Sequence, residues 1–578
     1  MSAAKRRFPS DEPEPTETAP LLSKDKEASA GAGKGEALAE GPVVNIYERR
    51  NAGYLMQYFA VGLIYGGLPA TVYGFFIGYL NVPAHVYATS GVIMTLPWSF
   101  KFFFGMINDC VPIFGYRRKP YMCIGWSFCS VMLMVLSVKS LPDPYWCVGP
   151  DGAYVTKATA ADGSTKAAEP CNADAAKSGG SYALLMMLAA LGYVIADVAA
   201  DGLTVEFARR EPADRRGRTQ TTAYLMRTMG SVTSVLLVGF GMNGKEYNGS
   251  FEWGLSFNDI CRILAVPAAL MVPISWLLIQ EAPSTEPMRL GAYMRLSYNL
   301  LRSKALFYVV AYHFLSSMIG MISTTAGGLV KNYWAGVQNL QNQLFSLVGN
   351  VLFAFGLWLV RKYFLNVDWR LMLLATSVLL NLVDMPFVFL TVFDVVRNQY
   401  FYLGETVLVE IPAAANFVVA TFVIVEMAEN GNEGLVYGLL TTVANLGGPF
   451  ARAIANQLYG LFTPSLSDSN NYIADTPLFR RVVACSFVLS YLFSFASLAT
   501  LLLLPNQKEQ AQLRKKTWPY ADVYAVTTLA LVGCALAYSL TVNLLSMFPE
   551  TMCLRFAGGD GCEEQQAQQA QQAAGGKH

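Results

Sequence analysis

Long apolar runs recur along the chain, separated by short polar stretches, and this alternation predicts helices laid across a membrane. A spanning helix needs ~20 mostly apolar residues, because hydrocarbon offers the backbone no hydrogen-bond partner outside its own turns. Thirteen runs qualify. Six extend from Tyr54 to Gly78, His85 to Ile107, Tyr121 to Val138, Tyr182 to Val205, Thr221 to Gly241 and Ile260 to Ile279. Seven follow, from Leu306 to Leu329, Leu340 to Val360, Leu371 to Phe393, Glu405 to Met427, Leu435 to Leu461, Val482 to Leu504 and Val523 to Met547. Composition agrees: 14% of residues are charged, against roughly 25% in soluble domains. A formal net charge of +1 gives nucleic acid nothing to bind. The histidines and scattered cysteines form no HExxH or paired CxxC spacing, so no metal or cofactor is expected. No nucleophile–base set emerges either, so the chain is not expected to be an enzyme.

Lysine and arginine gather in alternate loops, at Arg117 to Lys119, Arg209 to Arg218, Arg289 to Lys304, Arg361 to Arg370 and Arg514 to Lys516. Such loops resist translocation, which places them and the amino terminus in the cytoplasm. An odd number of spans then puts the carboxyl terminus on the other side. Cys147 and Cys171 share the long outer loop after the third span, and Cys553 and Cys562 share the tail. Two disulfides are expected there, with free thiols as the alternative. Asn248-Gly249-Ser250 is a glycosylation sequon on the same side.

The first fifty residues, rich in Pro, Glu, Ala, Gly and Lys, read as a disordered cytoplasmic tail. Within them Glu17, Leu21 and Leu22 have the acidic-dileucine arrangement that sorting adaptors bind. The expected location is the plasma membrane or, alternatively, an endolysosomal or vacuolar membrane. Residues 51–280 form the first six-helix half, 281–304 a basic link, 305–504 a second six-helix half, and 505–578 a loop, a thirteenth helix and an outer tail. This layout resembles the major facilitator superfamily, an all-α membrane fold whose two halves enclose a substrate site near the midplane. Val194 to Asp201, at the end of span four, parallels Val423 to Asn430, at the end of span ten.

Ions inside spans carry the candidate chemistry, because each costs several kcal/mol in hydrocarbon unless paired or hydrated. Asp197 and Asp201 lie four residues apart on one helix face. At about 1.5 Å per residue, Lys101 and Arg227 reach a similar depth. The four read as a neutralised cluster, either structural or exchanging a cation for a proton or solute. In the second half, Glu410, Asp384 and Arg452 reach comparable depth; Glu410, close to Pro412 on a span that lines the cavity in this architecture, is favoured over Asp384, whose span is peripheral in it. Glu426, Glu429 and Glu433 read as solvated helix ends. Tyr54, Tyr58, Tyr65 and Tyr73 on span one and Tyr308, Tyr312 and Phe314 on span seven offer rings for packing or for a planar ligand; Tyr58, Tyr65 and Tyr312 are the stacking candidates. His313 is either a proton shuttle or a hydrogen-bonded buried histidine.

One string is specific. Leu96-Pro97-Trp98 and Lys101 lead to Gly105, then to Asp109, Pro112, Gly115, Tyr116, Arg117, Arg118, Lys119 and Pro120 on a short hinge. This string, with Asp197 to Glu206 and Asn432 to Gly438, resembles the folate-biopterin transporter family over about Tyr54 to Leu504. The resemblance implies secondary transport of folate, biopterin or another pteridine, with S-adenosylmethionine carried by some members. It also implies a cytoplasmic latch at Gly105, Asp109, Gly115, Arg117 and Arg118. Lys101 or Arg227 would meet folate carboxylates, and Asp197 or Asp201 would carry a co-transported proton. A non-transporting sensor is the alternative of another class. No GxxxxGK[ST] loop is present for ATP drive.

Overall fold

A computed structural model describes residues 44–160, 163–211, 218–281, 283, 288–364, 367–427, 433–559 and 561–562. The sorting motif at Glu17, Leu21 and Leu22, most of the amino-terminal tail, Arg215, Arg216 and Glu429 lie outside the described residues.

The first half contains α1 (Ala52–Val72, running on as a π-helix over Tyr73–Tyr79), α2 (Ala84–Ile93), α3 (Lys101–Cys110), α4 (Lys119–Val138), α5 (Ala175–Arg209), α6 (Arg218–Gly241) and α7 (Phe257–Leu277). A linking helix α8 (Leu290–Leu301) leads to α9 (Lys304–Gly320), α10 (Asn339–Leu359), α11 (Trp369–Val392), α12 (Gln399–Leu408), α13 (Glu410–Met427), α14 (Glu433–Tyr459) and α15 (Pro477–Ser497). A short α16 (Lys508–Thr517) precedes α17 (Asp522–Leu545). Among the described residues, eleven helical segments are long and apolar enough to cross a membrane. Each matches one of the thirteen predicted runs.

The other two runs depart for identifiable reasons. The seventh is broken: α9 stops at Gly320, and helix resumes only at Gly327–Leu329 and Val330–Trp334. The gap is tolerated because neighbours supply its hydrogen bonds. Thr324 N–H donates to Ser490 Oγ (2.8 Å), the Thr324 and Ser486 hydroxyls pair (2.8 Å), and Arg452 donates to the Ser323 carbonyl (3.3 Å). The eleventh, α14, is 27 residues long, but Asn445, Arg452, Asn456 and Gln457 dilute its apolar character.

Three further boundaries moved. Span two bends where Pro97 converts Leu96–Phe100 to a 3-10 turn between α2 and α3. Span ten begins at Gln399, six residues before the expected Glu405, because the Asn398 side chain accepts the N–H groups of Tyr400 and Phe401. The basic link over 281–304 contains α8.

The two halves meet along a seam, sealed at one end by a set of crossing hydrogen bonds. Tyr73 donates to Val337 O (2.6 Å), Asn81 to Ser469 Oγ (3.0 Å), Gln343 to Ala70 O (3.0 Å), Asn339 to Met242 O (3.0 Å) and Asn456 to Thr89 Oγ1 (2.7 Å). Both expected disulfides, Cys147–Cys171 and Cys553–Cys562, form at this end. It is called the disulfide face below, and the end carrying Arg117–Lys119 the basic face. The first disulfide belongs to a loop folded into two small hairpins, Cys147–Val148 with Tyr154–Val155 and Lys157–Thr159 with Thr165–Ala167. Asn248 sits in a tight turn there at φ +59°.

The thirteenth helix is integral to this face. α17 packs along α14, where Asn543 donates to Pro449 O (2.9 Å) and Tyr538 to Gln457 Oε1 (2.9 Å). The segment beyond it turns back over the seam. Met547 O lies so close to Gly180 of α5 that a Cβ there would stand 1.5 Å from it. His85 Nε2 of α2 meets Met552 O (3.2 Å) while Gln457 of α14 donates to Phe556 O (2.9 Å).

An ion network braces the disulfide end of the second half. Asp475 accepts from Arg397 (2.6 Å) and Arg480 (2.7 Å), and Arg480 also reaches Asp394 (3.0 Å). Burial alone would raise the Asp475 pKa, but the hydrogen bonds and charges of the two arginines outweigh it and hold the carboxyl below its usual value. A depressed folded pKa contributes stability that is complete above the unfolded value of about 3.9 and is lost as pH falls through the folded one. Asp475→Asn is therefore expected to lower the melting temperature at pH 7 and to converge with the parent as pH falls through the depressed folded pKa. A gap that persists unchanged at acid pH would contradict the assignment.

Candidate functional site

Four charges from three spans converge in the first half. The bend at Pro97 starts α3 at Lys101, whose ammonium points at α5 and lies 2.8 Å from Asp197 Oδ2 and 2.9 Å from Asp201 Oδ2. Arg227 on α6 approaches Asp197 Oδ1 at 3.8 Å. The four-residue spacing on α5 stacks the carboxylates along one face, so a single ammonium bridges them. Asp197 is fully buried, whereas the Asp201 side chain is 34% exposed, so of the two acids the second is the more accessible.

Aromatic rings wall the cluster. Arg227 lies over Tyr65 (4.7 Å) and Trp98 (4.8 Å), and Lys101 over Trp98 (4.4 Å). Tyr58 donates to Asp201 Oδ1 (3.0 Å), and its hydroxyl pairs with Thr204 (2.6 Å), which also meets Tyr54 (2.8 Å). Tyr58 is thus buried as a hydrogen-bond donor, and Tyr312 is buried edge-on to His313. Of the three stacking candidates, Tyr65 alone is exposed. Lys101 and Arg227 were expected to meet solute carboxylates, but both are already faced by carboxylates of the chain.

At the basic face, the hinge closes on itself. Asp109 at the end of α3 accepts from Arg118 (2.7 Å), and Glu206 on α5 lies 3.4 Å from Arg118 and 3.6 Å from Arg117. Arg118 crosses α5 at Gly202, where a Cβ would lie 2.5 Å from its Cζ. Glu281, unremarked in the sequence, accepts the N–H groups of Arg117 (2.8 Å), Arg118 (2.9 Å) and Lys119 (2.9 Å), donors that the start of α4 leaves unpaired. Gly115 adopts φ +79°, which glycine adopts without steric cost. Gly105 has only Val198 nearby, 3.9 Å from a notional Cβ.

The second-half candidates do not assemble. Arg452 serves the broken helix through Ser323, Asp384 accepts from Tyr491 (2.6 Å), and Glu410 packs against Gly349. Neither acid lies within ion-pair distance of Arg452 among the described residues. His313 Nε2 is buried with no hydrogen-bond partner among them. Two charges in this half drew no notice in the sequence. Lys331, two residues past the expected end of span seven, donates to Asn342 Oδ1 on α10 and lies 5.1 Å from the ring of Tyr73 on α1. Glu405 on α12 interacts with it electrostatically. The break in span seven carries helix on to Trp334, and so carries Lys331 into the seam.

The architecture defines a class: a multi-pass integral membrane protein of the major facilitator fold. The D-xylose-proton symporter crystal structure superposes with a TM-score of 0.53 at 10% identity, over 79% of this chain and 97% of that one. A profile of the BT1 family matches residues 62–143, which include the Leu96–Pro120 string. The "Folate-biopterin transporter" of Synechocystis sp. is 21% identical over 375 residues, 63% of this chain and 65% of that protein. The chain thus spans slightly less than two thirds of that relative's length. "Folate transporter 1" of Plasmodium falciparum is 20% identical over 427 residues, 72% of each. The chain is thus similar to the BT1 family over residues 62–143 and, at lower identity, to these relatives over most of its length.

Proposed function

We propose that the chain is a secondary transporter that moves a folate, biopterin or related pteridine by alternating access of its two halves. The observation that carries this reading is the Lys101–Asp197–Asp201–Arg227 tetrad: paired ions held inside the bundle, with one carboxylate, Asp201, partly exposed. Ions so placed are expensive and mark a transport path more often than a structural site. The names of the Synechocystis and Plasmodium relatives favour a folate or pterin as the solute. Asp201 takes the role of proton carrier, because its exposure permits exchange and its Lys101 and Tyr58 contacts can re-form around either protonation state. The hinge built on Asp109, Arg117 and Arg118 acts as the latch of the basic face. Glycosylation at Asn248 and adaptor binding through Glu17, Leu21 and Leu22 complete the proposal for a protein of the plasma membrane or an endolysosomal or vacuolar membrane.

The test is uptake of labelled folate by transport-deficient cells expressing the chain, with unlabelled folate, biopterin and S-adenosylmethionine as competitors. Folate uptake should be saturable and blocked by biopterin. Asp201→Asn, compared at equal surface expression, should remove its dependence on an imposed pH gradient. Competition by S-adenosylmethionine alone would reassign the solute, and absence of flux for all three would remove the reading.

A further inference from the structure

We propose that Lys331 receives the negatively charged group of the solute, and so sets a preference for anionic over neutral pteridines. The inference rests on the transport reading above and names a residue which that reading leaves unused.

The argument begins with charge balance in the seam. Two cations of the first half, Lys101 and Arg227, have carboxylates within 4 Å. The two cations are matched by two acids, so the cluster has no net positive charge left to attract a further anion. Lys331 differs. Among the described residues no carboxylate lies within ion-pair distance of its ammonium; its contacts are the neutral Asn342 Oδ1 and the face of Tyr73. An ammonium offers three donors, and the amide uses one. A ring face returns only a fraction of what it costs to take an ion from water. The position is electrically incomplete, and an anion would complete it.

Its place in the fold agrees. Tyr73 belongs to the first half and Asn342 to the second, so the ammonium lies between the bodies that must separate for the disulfide face to open. The π-helical turn over Tyr73–Tyr79 and the restart of span seven at Gly327 bring these two segments together. The Tyr87 ring of α2 packs against Gly328, where a Cβ would stand 2.4 Å from it, and Tyr333 donates to Asn81 Oδ1 (2.8 Å). A cation set among tyrosine rings suits a planar heteroaromatic solute bearing a carboxylate: the rings pack against the plane, and the ammonium fixes the acid end. Glu405 acts on Lys331 electrostatically, but no ion pair joins the two among the described residues.

The experiment uses the full chain in lipid nanodiscs, with folate as the anionic probe and biopterin, which has no carboxylate, as the neutral one. Lys331→Gln should weaken folate binding by about tenfold or more, the scale of losing one charge-assisted hydrogen bond, and leave biopterin within about twofold. Lys331→Arg should retain the preference. Asn342→Asp keeps Lys331 and the side-chain shape but places a carboxylate on the ammonium; it should weaken folate selectively as well, which guards against a glutamine variant that merely misfolds. Unchanged folate affinity in both Lys331→Gln and Asn342→Asp would overturn the inference and leave the transport reading standing. Failure of the parent chain to bind either probe would overturn both.

Discussion

Replacing Lys101 with methionine is expected to give the largest loss of any single substitution in the bundle. The tetrad is neutral, with two cations against two acids, and Asp197 is fully buried within it. Removing the bridging ammonium leaves a net charge of −1 and two carboxylates on one helix face, held by Arg227 at 3.8 Å from one of them. Deleting one partner of a buried pair costs ~3–5 kcal/mol because the remaining charge is uncompensated. That is a large share of the ~5–15 kcal/mol that holds a typical fold. Lys101→Met should therefore fall sharply in melting temperature and surface expression. Lys101→Met combined with Asp197→Asn returns the cluster to neutrality and should recover part of the loss, a coupling that a double-mutant cycle reads directly. Equal stability of the single and double variants would show that the charges do not act as a unit.

The second large effect is expected from Gly62→Ala, although it adds only one methyl group. A Cβ at Gly62 would lie 1.9 Å from Arg227 O, and one at Gly230 would lie 2.1 Å from Phe59 O. α1 and α6 thus meet backbone to backbone, as small residues permit in membrane helices. The obstructing atoms are main chain, so no side chain can swing aside. Overpacking costs ~1–3 kcal/mol where neighbours can adjust, and here the adjustment would have to move a helix that carries Arg227. Gly91→Ala serves as the control, since Gly91 has open space where a Cβ would stand. Thermal denaturation of both variants should separate them clearly. A Gly62→Ala protein as stable as the Gly91→Ala control would refute the close approach.

The parts of the site legible in the sequence are those whose physics is local. Ions in apolar runs are conspicuous because they are costly, and a fixed rise per residue sets Lys101, Asp197, Asp201 and Arg227 at one depth. Shared loops were enough to pair Cys147 with Cys171 and Cys553 with Cys562. Contacts that depend on two distant segments were not legible. In the run from Leu306 to Leu329 the cluster Ser323-Thr324-Thr325 with Gly327-Gly328 only weakens helix; what sustains the interruption at Met321–Ala326 comes from Ser486, Ser490 and Arg452 on other helices. With that interruption unseen, Lys331 reads as a loop residue. Arg452, set beside Glu410 and Asp384 by depth alone, turns instead to the Ser323 carbonyl. Glu281 was silent for the same reason: the three N–H groups it accepts belong to a helix start more than 160 positions away. Gly62 and Gly230 have no side chain through which to announce a close approach.

The last helix has a mechanical consequence. Its body rests on α14, in the second half, while the turn that follows presses Met547 against Gly180 and Met552 against His85, in the first. Any rocking that parts the bodies on that side must drag this elbow along or peel it from one shore. An alternating-access cycle of the kind proposed would thereby be tethered unevenly: opening on the side that carries the elbow would work against a built-in restraint that opening on the basic side would not meet.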